Sequence, residues 1–175
     1  GTLLRRLQAV DGDFMIRIGM MNPAAAKQHL DEIVEAYTLS KVFKFLHLPI
    51  QSGSDYILKK MGRNYNVQDF LDVIELFRSK FPGLSLSTDI IVGFPGETEE
   101  DFEASLDIIK KIKPDIINIT RFSPRPGTPA ASMENQVPGW VSKNRSRIMT
   151  DLRFSITEGN YSNMLNQKVE ALSVE

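Results

Sequence analysis

The chain has 175 residues, a net charge of −1, 25% charged residues and 42% hydrophobic residues. This length and composition predict one globular domain, and a nearly neutral charge gives no global attraction to nucleic acid or membrane. Because the sequence has no cysteine, its own residues exclude disulfides, zinc–thiolate sites, thiol nucleophiles and iron–sulfur ligation. No apolar run approaches the length of a membrane span and no signal peptide is recognisable, so we expect a cytoplasmic protein.

Apolar periodicity and turn residues predict four strands, at 14–21, 42–50, 84–93 and 115–122. Helices are expected after the capping residues Asn22, Ser54, Asn66 and Thr98. A last helix is expected from Trp140 to about Asn163. Three prolines predict a rigid loop without helix at 123–129.

Residues 89–102 are the most informative segment, because they read as a strand, a glycine turn and a capped helix. Gly93 and Gly96 allow the backbone to approach a bound molecule closely. Thr98 and Asp101 have the spacing of a capping box, and acidic residues in the first helical turn favour the positive end of the helix.

The order β-α-β-αα-β-α-β-loop-α predicts an α/β fold with a parallel sheet and crossover helices. It fits either the half of a (β/α) barrel or a small doubly wound sheet. In both folds the ligand site lies at the carboxyl ends of the strands.

Polar residues at these strand ends are candidates for ligand contacts. Gln51 and Ser52 follow an apolar strand directly, either as ligand contacts or as turn and cap residues. Thr88 and Asp89 interrupt an apolar strand, where they either hold a ligand or pair with a neighbouring strand or Arg17. His47, alone in its strand, is more typical of a hydrogen-bonded core histidine than of a catalyst.

Arginines near the strand ends are candidates for contacting an anion or an RNA backbone, or for internal ion pairs. They are Arg17, Arg121 and Arg125. The last helix carries either a basic stripe or, in the interpretation we favour, a solvated face, at Lys143, Arg145, Arg147 and Arg153. An apolar wall for an adenine or a base, or simply core packing, is expected from Met20, Met21, Phe94 and Phe122.

From these patterns alone we infer a ligand site at strand ends and no particular reaction. Five motifs, however, resemble the radical S-adenosylmethionine methylthiotransferases (MiaB-like) in order and spacing over nearly the whole chain. They are 47–55 (HLPIQSGSD), 58–61 (LKKM), 87–98 (STDIIVGFPGET), 122–131 (FSPRPGTPAA) and 136–138 (QVP).

The resemblance implies that residues 1–167 are the C-terminal half of a partial, TIM-like radical-SAM barrel. It implies that 168–175 begin a small RNA-binding β domain, the TRAM domain. The family uses two four-iron, four-sulfur clusters, and their cysteines would precede this chain. The piece alone would then have no catalytic residue or metal ligand of its own.

By this resemblance S-adenosylmethionine would lie near Gln51, Ser52, Thr88, Asp89, Gly93 and Phe122. The reaction would be reductive cleavage to a deoxyadenosyl radical, followed by insertion of sulfur and a methyl group into a C–H bond of tRNA. Segments 20–23 and 113–122 look most like the archaeal and eukaryotic enzymes that act on threonylcarbamoyladenosine beside the anticodon. The branches acting on isopentenyladenosine or on a ribosomal protein are the alternatives.

Two hypotheses of other classes stay open at this point. One is a binding module for RNA or a nucleotide that has lost the chemistry. The other is half of a hydrolase or aldolase barrel, which lacks the expected lysine at a strand end. Half a barrel also exposes strand edges, so we expect the isolated piece to dimerise through them.

Overall fold

The computed structural model describes residues 1–168. Within that range the strands are β1 (Phe45–His47), β2 (Ser85–Val92) and β3 (Ile116–Arg121). The helices are α1 (Thr2–Gln8), α2 (Pro23–Gln28), α3 (Leu30–Tyr37), α4 (Asp55–Lys60), α5 (Val67–Lys80), α6 (Glu99–Ile112) and α7 (Gly139–Met164), with a 3₁₀ turn at Pro129–Ser132. All but the first residue of the β domain expected at 168–175 lies outside the described residues.

The sheet has the order β1-β2-β3, and both pairings are parallel. Helices α4 and α5 connect the first pair of strands and α6 connects the second, which confirms the predicted crossovers. One face of the sheet is buried against helices through a cluster that includes Leu46, Leu86, Ile90, Phe77 and Phe102. The other face stays partly open, as in half a barrel, whereas a doubly wound sheet is covered on both faces.

The predicted strand at 14–21 is wrong in extent. Only Ile16 forms an isolated parallel bridge, with Val42, and Met21 donates from its backbone to His47 O at 2.9 Å. The hydrogen bonds on either side of the gap differ in register by one residue, because Ile16 N donates to Lys41 O, 25 positions later, whereas Met21 N donates to His47 O, 26 positions later. The segment therefore runs beside β1 without forming a continuous ladder.

Strand β1 is also shorter than the predicted 42–50. After His47 the chain stays extended, and pairing resumes only as an isolated bridge between Gln51 and Ile90. Leu48 N donates to Ser87 O and Gln51 N donates to Asp89 O, while Ile50 N bonds the Thr88 hydroxyl at 3.2 Å, so one extra residue interrupts the ladder. The strands predicted at 84–93 and 115–122 are confirmed as β2 and β3.

Four predicted helix starts are confirmed by side-chain caps. Asn22 accepts from Ala24 N at 2.9 Å, and Ser54 accepts from Ile57 N at 3.3 Å. Asn66 and Thr98 each form a reciprocal capping box with an aspartate three residues later. The helix begun at Asn22 breaks at His29, so the apolar residues of 30–37 lie on a separate helix, α3.

The aromatic core ties the first half of the chain to the sheet. Tyr37 is fully buried, meets the Phe77 ring edge-on at 4.9 Å, and donates from its hydroxyl to Phe45 O at 2.9 Å. Burial raises the pKa of this phenol above its ordinary range. Among residues 1–168, no helix has the length and apolarity needed to cross a membrane.

Candidate functional site

A polar layer crosses the three strands on the open face of the sheet. The Asp89 carboxylate lies at its centre, with His47 Nε2 at 2.9 Å and Asn118 Nδ2 at 2.7 Å. In strand register, Asp89 is opposite Asn118, and His47 is opposite Ser87, two residues earlier. The side chains of His47 and Asp89 remain 18% and 22% exposed. We call these three residues the Asp89 layer.

Both contacts of the Asp89 layer fall on the same carboxylate oxygen, Oδ1. Oδ2 has no hydrogen-bond partner among the described residues. An ionised carboxylate offers about four lone-pair positions, two on each oxygen. Oδ1 is therefore occupied by protein donors, and Oδ2 remains available to a hydroxyl or amine from outside.

Gln51 lies beside this layer at the end of β1. Its backbone N–H donates to Asp89 O at 2.9 Å, and its carbonyl accepts from Ile91 N at 2.9 Å. The residue has φ of 72°, a left-handed conformation that non-glycine residues seldom adopt. Its side-chain amide has no partner among residues 1–168, so a strained backbone presents an open polar group.

Gln51 lines a cavity of about 240 Å³ that lies between residues 20–23 and residues 49–51. Arg63 lines the same cavity, and its buried Nε has no hydrogen-bond partner in the described chain. A buried guanidinium N–H without an acceptor is costly, which makes Arg63 a candidate for an anionic ligand group. Sequence reasoning missed it, because Arg63 follows α4 and reaches the strand end only through folding. The remaining lining residues are Met20, Met21, Asn22, Pro23, Pro49 and Tyr65.

Two predicted ligand contacts have partners inside the protein instead. The Thr88 hydroxyl is fully buried, donates to Leu48 O at 2.8 Å and accepts from Ile50 N at 3.2 Å. The Ser52 hydroxyl is also fully buried and accepts from Ser54 N at 3.2 Å. The Thr88 hydroxyl holds the chain on both sides of Pro49, where the ladder is interrupted, and the Ser52 hydroxyl holds the turn before α4.

Gly93 adopts φ of 77°, and a Cβ there would lie 2.5 Å from Ser142 Cβ of α7. Its backbone N–H donates to Glu97 Oε2 at 2.7 Å. The glycine is thus required by a turn and by close packing against α7. This geometry accounts for Gly93 without a ligand.

Glu97 and Arg145 form a buried ion pair beneath that turn. Arg145 Nη1 donates to Glu97 Oε2 at 2.7 Å, and the two side chains are 6% and 1% exposed respectively. Arg145 Nη2 also reaches Glu99 Oε2 at 3.0 Å. Burial raises the pKa of Glu97, opposed by the Gly93 N–H and Arg145. The prediction of a solvated or basic helix face is therefore wrong for Arg145, which anchors α7 to the β2–α6 turn.

The expected apolar wall exists in part. Phe94 and Phe122 meet edge-on with ring centroids 5.1 Å apart at the carboxyl edge of the sheet. Phe94 is buried and Phe122 is half-buried, so one ring surface remains accessible. Met20 is 64% exposed, and Met21 lines the cavity beside Gln51.

The three candidate arginines are not brought together. Arg17 lies on the edge beside β1, stacked over Phe45, whereas Arg121 ends β3 at the opposite edge. Arg125 lies in the proline loop, where its carbonyl accepts from the Thr128 hydroxyl at 2.8 Å. All three side chains are exposed and form no ion pair among residues 1–168. Within the same range no group of three or more His, Asp or Glu side chains is arranged to hold a metal ion.

Comparison with known proteins assigns this arrangement to a family. The Radical SAM superfamily profile matches residues 2–109. A protein of Pyrococcus abyssi described as a probable threonylcarbamoyladenosine tRNA methylthiotransferase is 49% identical over 97% of this chain and 40% of its own length. The human threonylcarbamoyladenosine tRNA methylthiotransferase is 39% identical over 99% of the chain and 30% of its length. The chain thus spans less than half of these relatives.

Solved structures agree at the level of the fold. Coproporphyrinogen III oxidase (HemN) of Escherichia coli, a radical SAM enzyme, superposes with a TM-score of 0.67 at 18% identity, over 89% of this chain and 36% of the oxidase. Methylornithine synthase (PylB) gives a TM-score of 0.50 at 14% identity, over 89% of this chain and 58% of the synthase. The resemblance to radical-SAM methylthiotransferases and the partial barrel are both confirmed. The chain belongs to the radical SAM superfamily.

Proposed function

We propose that this chain is the S-adenosylmethionine-binding part of an enzyme that adds a methylthio group to threonylcarbamoyladenosine in tRNA. The observation that carries the proposal is the 49% identity to such a relative over 97% of the chain. Because the chain spans 40% of that relative, activity, substrate and partners belong to the proposal. Open polar groups at the carboxyl ends of the strands support it, since ligands of parallel α/β folds bind there.

The residues at these ends fit the chemistry of S-adenosylmethionine. The free Oδ2 of Asp89 and the open amide of Gln51 suit ribose hydroxyls or the amino group, which donate hydrogen bonds. The unpartnered Nε of Arg63 suits the carboxylate of the methionine portion. Phe122 offers a ring surface to the adenine. Thr88 supports this site through the backbone around Pro49, Ser52 supports it through the turn before α4, and Gly93 supports it through the turn after β2.

The same residues do not fit an iron–sulfur cluster, because the chain contains no cysteine thiolate. The one or two clusters that the family implies would need ligands from outside these 175 residues. When bound, S-adenosylmethionine supplies the radical and methyl chemistry of the family. This chain's own contribution is to bind and orient that molecule.

The tRNA contacts remain a prediction. Arg17, Arg121 and Arg125 are exposed and available to phosphates, although they are spread over two sheet edges and a loop. The cytoplasmic location, the TRAM domain from residue 168 and dimerisation through sheet edges also remain predictions. Ile116, 45% exposed on the open edge of β3, supports the last of these. A monodisperse monomer in sedimentation of the isolated chain would reject dimerisation.

The test is nucleoside mass spectrometry of tRNA from cells lacking the gene. Loss of the methylthio derivative with accumulation of threonylcarbamoyladenosine would support reaction and substrate together. The wild-type gene and the surface control Asp107→Asn should restore the derivative fully, and Asp89→Asn should restore less of it. Loss of the methylthio derivative of isopentenyladenosine instead would assign the chain to that branch, and an unchanged tRNA profile would favour a ribosomal protein as substrate or a non-catalytic binding module.

A further inference from the structure

In the Asp89 layer both protein donors contact one oxygen of the Asp89 carboxylate and none contacts the other, which a ligand-binding role of Asp89 alone does not explain. Two donors from two different strands, His47 Nε2 and Asn118 Nδ2, meet one carboxylate oxygen. A carboxylate on a strand can rotate about χ2, which is a broad torsion. Two donors on one oxygen remove that freedom, because rotation would break both hydrogen bonds.

From this geometry we infer that His47 and Asn118 are positioning residues, which hold the Asp89 carboxylate by Oδ1 and direct Oδ2 to the bound ligand. The inference rests on the proposed S-adenosylmethionine site and names the residues that orient it. Neither side chain needs to touch the ligand. Because an ionised carboxylate only accepts hydrogen bonds, the His47 tautomer must carry its proton on Nε2.

Burial favours a positioning role over simple core packing. The His47 and Asp89 side chains keep 18% and 22% of their surface exposed, so the pair is not sealed in the core. The nearby Phe45 ring has its centroid 6.4 Å from that of His47 and lies under Arg17, which limits how far the imidazole can swing. The Phe45 ring thus restricts the His47 side chain, while the Asp89 layer stays partly exposed.

The same geometry limits how Asp89 can recognise a ligand. With Oδ1 filled, the carboxylate offers a single oxygen and cannot clasp two vicinal hydroxyls with its two oxygens. Oδ2 alone then meets the ligand, and a second ligand donor has to use the other lone pair of Oδ2 or a neighbouring residue. The open amide of Gln51, whose backbone is bonded to Asp89 O, is adjacent.

The experiment measures the affinity of the full-length protein for S-adenosylhomocysteine by calorimetry, together with its melting temperature. Variants are His47→Ala, Asn118→Ala, Asp89→Asn and the two double variants that combine Asp89→Asn with each alanine change. We expect each alanine change to weaken binding about tenfold in the wild-type background and to have little further effect beside Asp89→Asn. His47→Gln, which keeps a donor, should restore part of the affinity.

Two matched controls separate positioning from general destabilisation. Asn160→Ala removes another Asn–Asp contact, 3.2 Å from Asp115 Oδ1, and His29→Ala removes the other, exposed histidine. Both should leave affinity unchanged. Equal losses from His47→Ala and Asn118→Ala with and without Asp89→Asn would overturn the positioning role.

The two proposals fail in different ways. If Gln51→Ala and Arg63→Ala weaken binding but the Asp89 layer variants do not, the site stands and the positioning role is wrong. If the wild-type protein does not bind S-adenosylhomocysteine and the tRNA profile of the deletion strain is unchanged, the proposed function itself is wrong.

Discussion

Two clusters of charged and polar side chains lie at the carboxyl side of the sheet, and they differ in burial. The Glu97–Arg145 pair is 1% and 6% exposed, and the Glu97 carboxylate is bonded to Arg145 and to the Gly93 backbone. In the Asp89 layer the His47 and Asp89 side chains are about one-fifth exposed, Asn118 is exposed, and one carboxylate oxygen stays free. A buried, mutually paired cluster stabilises the fold, whereas a half-buried cluster with an open acceptor can bind a ligand. The following predictions test that division, from the largest expected effect to the smallest.

Removing the charge at Arg145 should cause the largest loss of stability. Arg145→Met leaves Glu97 buried without its partner, which costs roughly 3–5 kcal/mol in unfolding free energy. Urea denaturation measures this change. Arg147→Met, on the exposed side of the same helix, is the matched control and should shift stability by less than about 0.5 kcal/mol. Similar midpoints for both variants would show that the ion pair does not hold α7.

A methyl group at Gly93 should cause the next largest loss. Gly93→Ala places a Cβ 2.5 Å from Ser142 Cβ and requires a residue with φ of 77°. We expect about 1–3 kcal/mol of destabilisation by thermal unfolding. Gly83→Ala is the control, since a Cβ there meets nothing within 4 Å and needs no positive φ. Equal melting temperatures would contradict the assignment of Gly93 to packing.

Asp89→Asn should weaken ligand binding more than it destabilises the fold, in contrast to the two variants above. The side chain keeps its shape but loses its charge, so we expect about a tenfold loss of affinity for S-adenosylhomocysteine, or 1.4 kcal/mol, with less than about 1 kcal/mol lost in unfolding free energy. Calorimetric binding and urea denaturation on the same preparation measure both quantities. A variant that unfolds readily yet binds normally would assign the Asp89 layer to the fold instead.

The smallest effect is expected at a surface contact between α2 and α5. Lys27 Nζ lies 2.6 Å from Asp69 Oδ1, and this hydrogen bond, helped by the Asn66 N–H, lowers the pKa of Asp69 below its ordinary 3.8. A lowered folded-state pKa gives stability that is present above pH 3.8 and lost as pH falls through the folded value. Lys27→Met should raise the Asp69 pKa in a carbon-detected NMR titration, while the exposed control Lys143→Met should not. An Asp69 titration that is the same in both variants would contradict the contact.

The sequence predicted the helix starts correctly, because each start depends on a few neighbouring residues. Thr98 with Asp101, Asn66 and Ser54 were predicted as caps because capping depends on residues three apart in the chain. The strand at 14–21 failed because the backbone bonds made by Ile16 and by Met21 differ in register by one residue, so no continuous ladder joins them. Register of this kind cannot be read from one strand alone.

Some residues of the candidate site were also predictable from local sequence, and others were not. Gln51 and Asp89 were predicted as candidates because polar residues at the ends of apolar strands are conspicuous in sequence. Arg63 was missed and Arg145 was wrongly assigned to a solvated face, because each is placed by tertiary packing, one beside Gln51 and the other beneath Gly93. A buried arginine on a largely polar helix looks like a solvated one until its partner is known.

The most direct test of the division between the clusters is hydrogen–deuterium exchange of the full-length protein with and without S-adenosylhomocysteine. The ligand should protect backbone amides of 47–52 and 88–94 and leave exchange in 97–99 and 142–148 unchanged. Protection confined to 97–99 and 142–148, with none at 47–52, would contradict the account and move the ligand site to the buried ion pair.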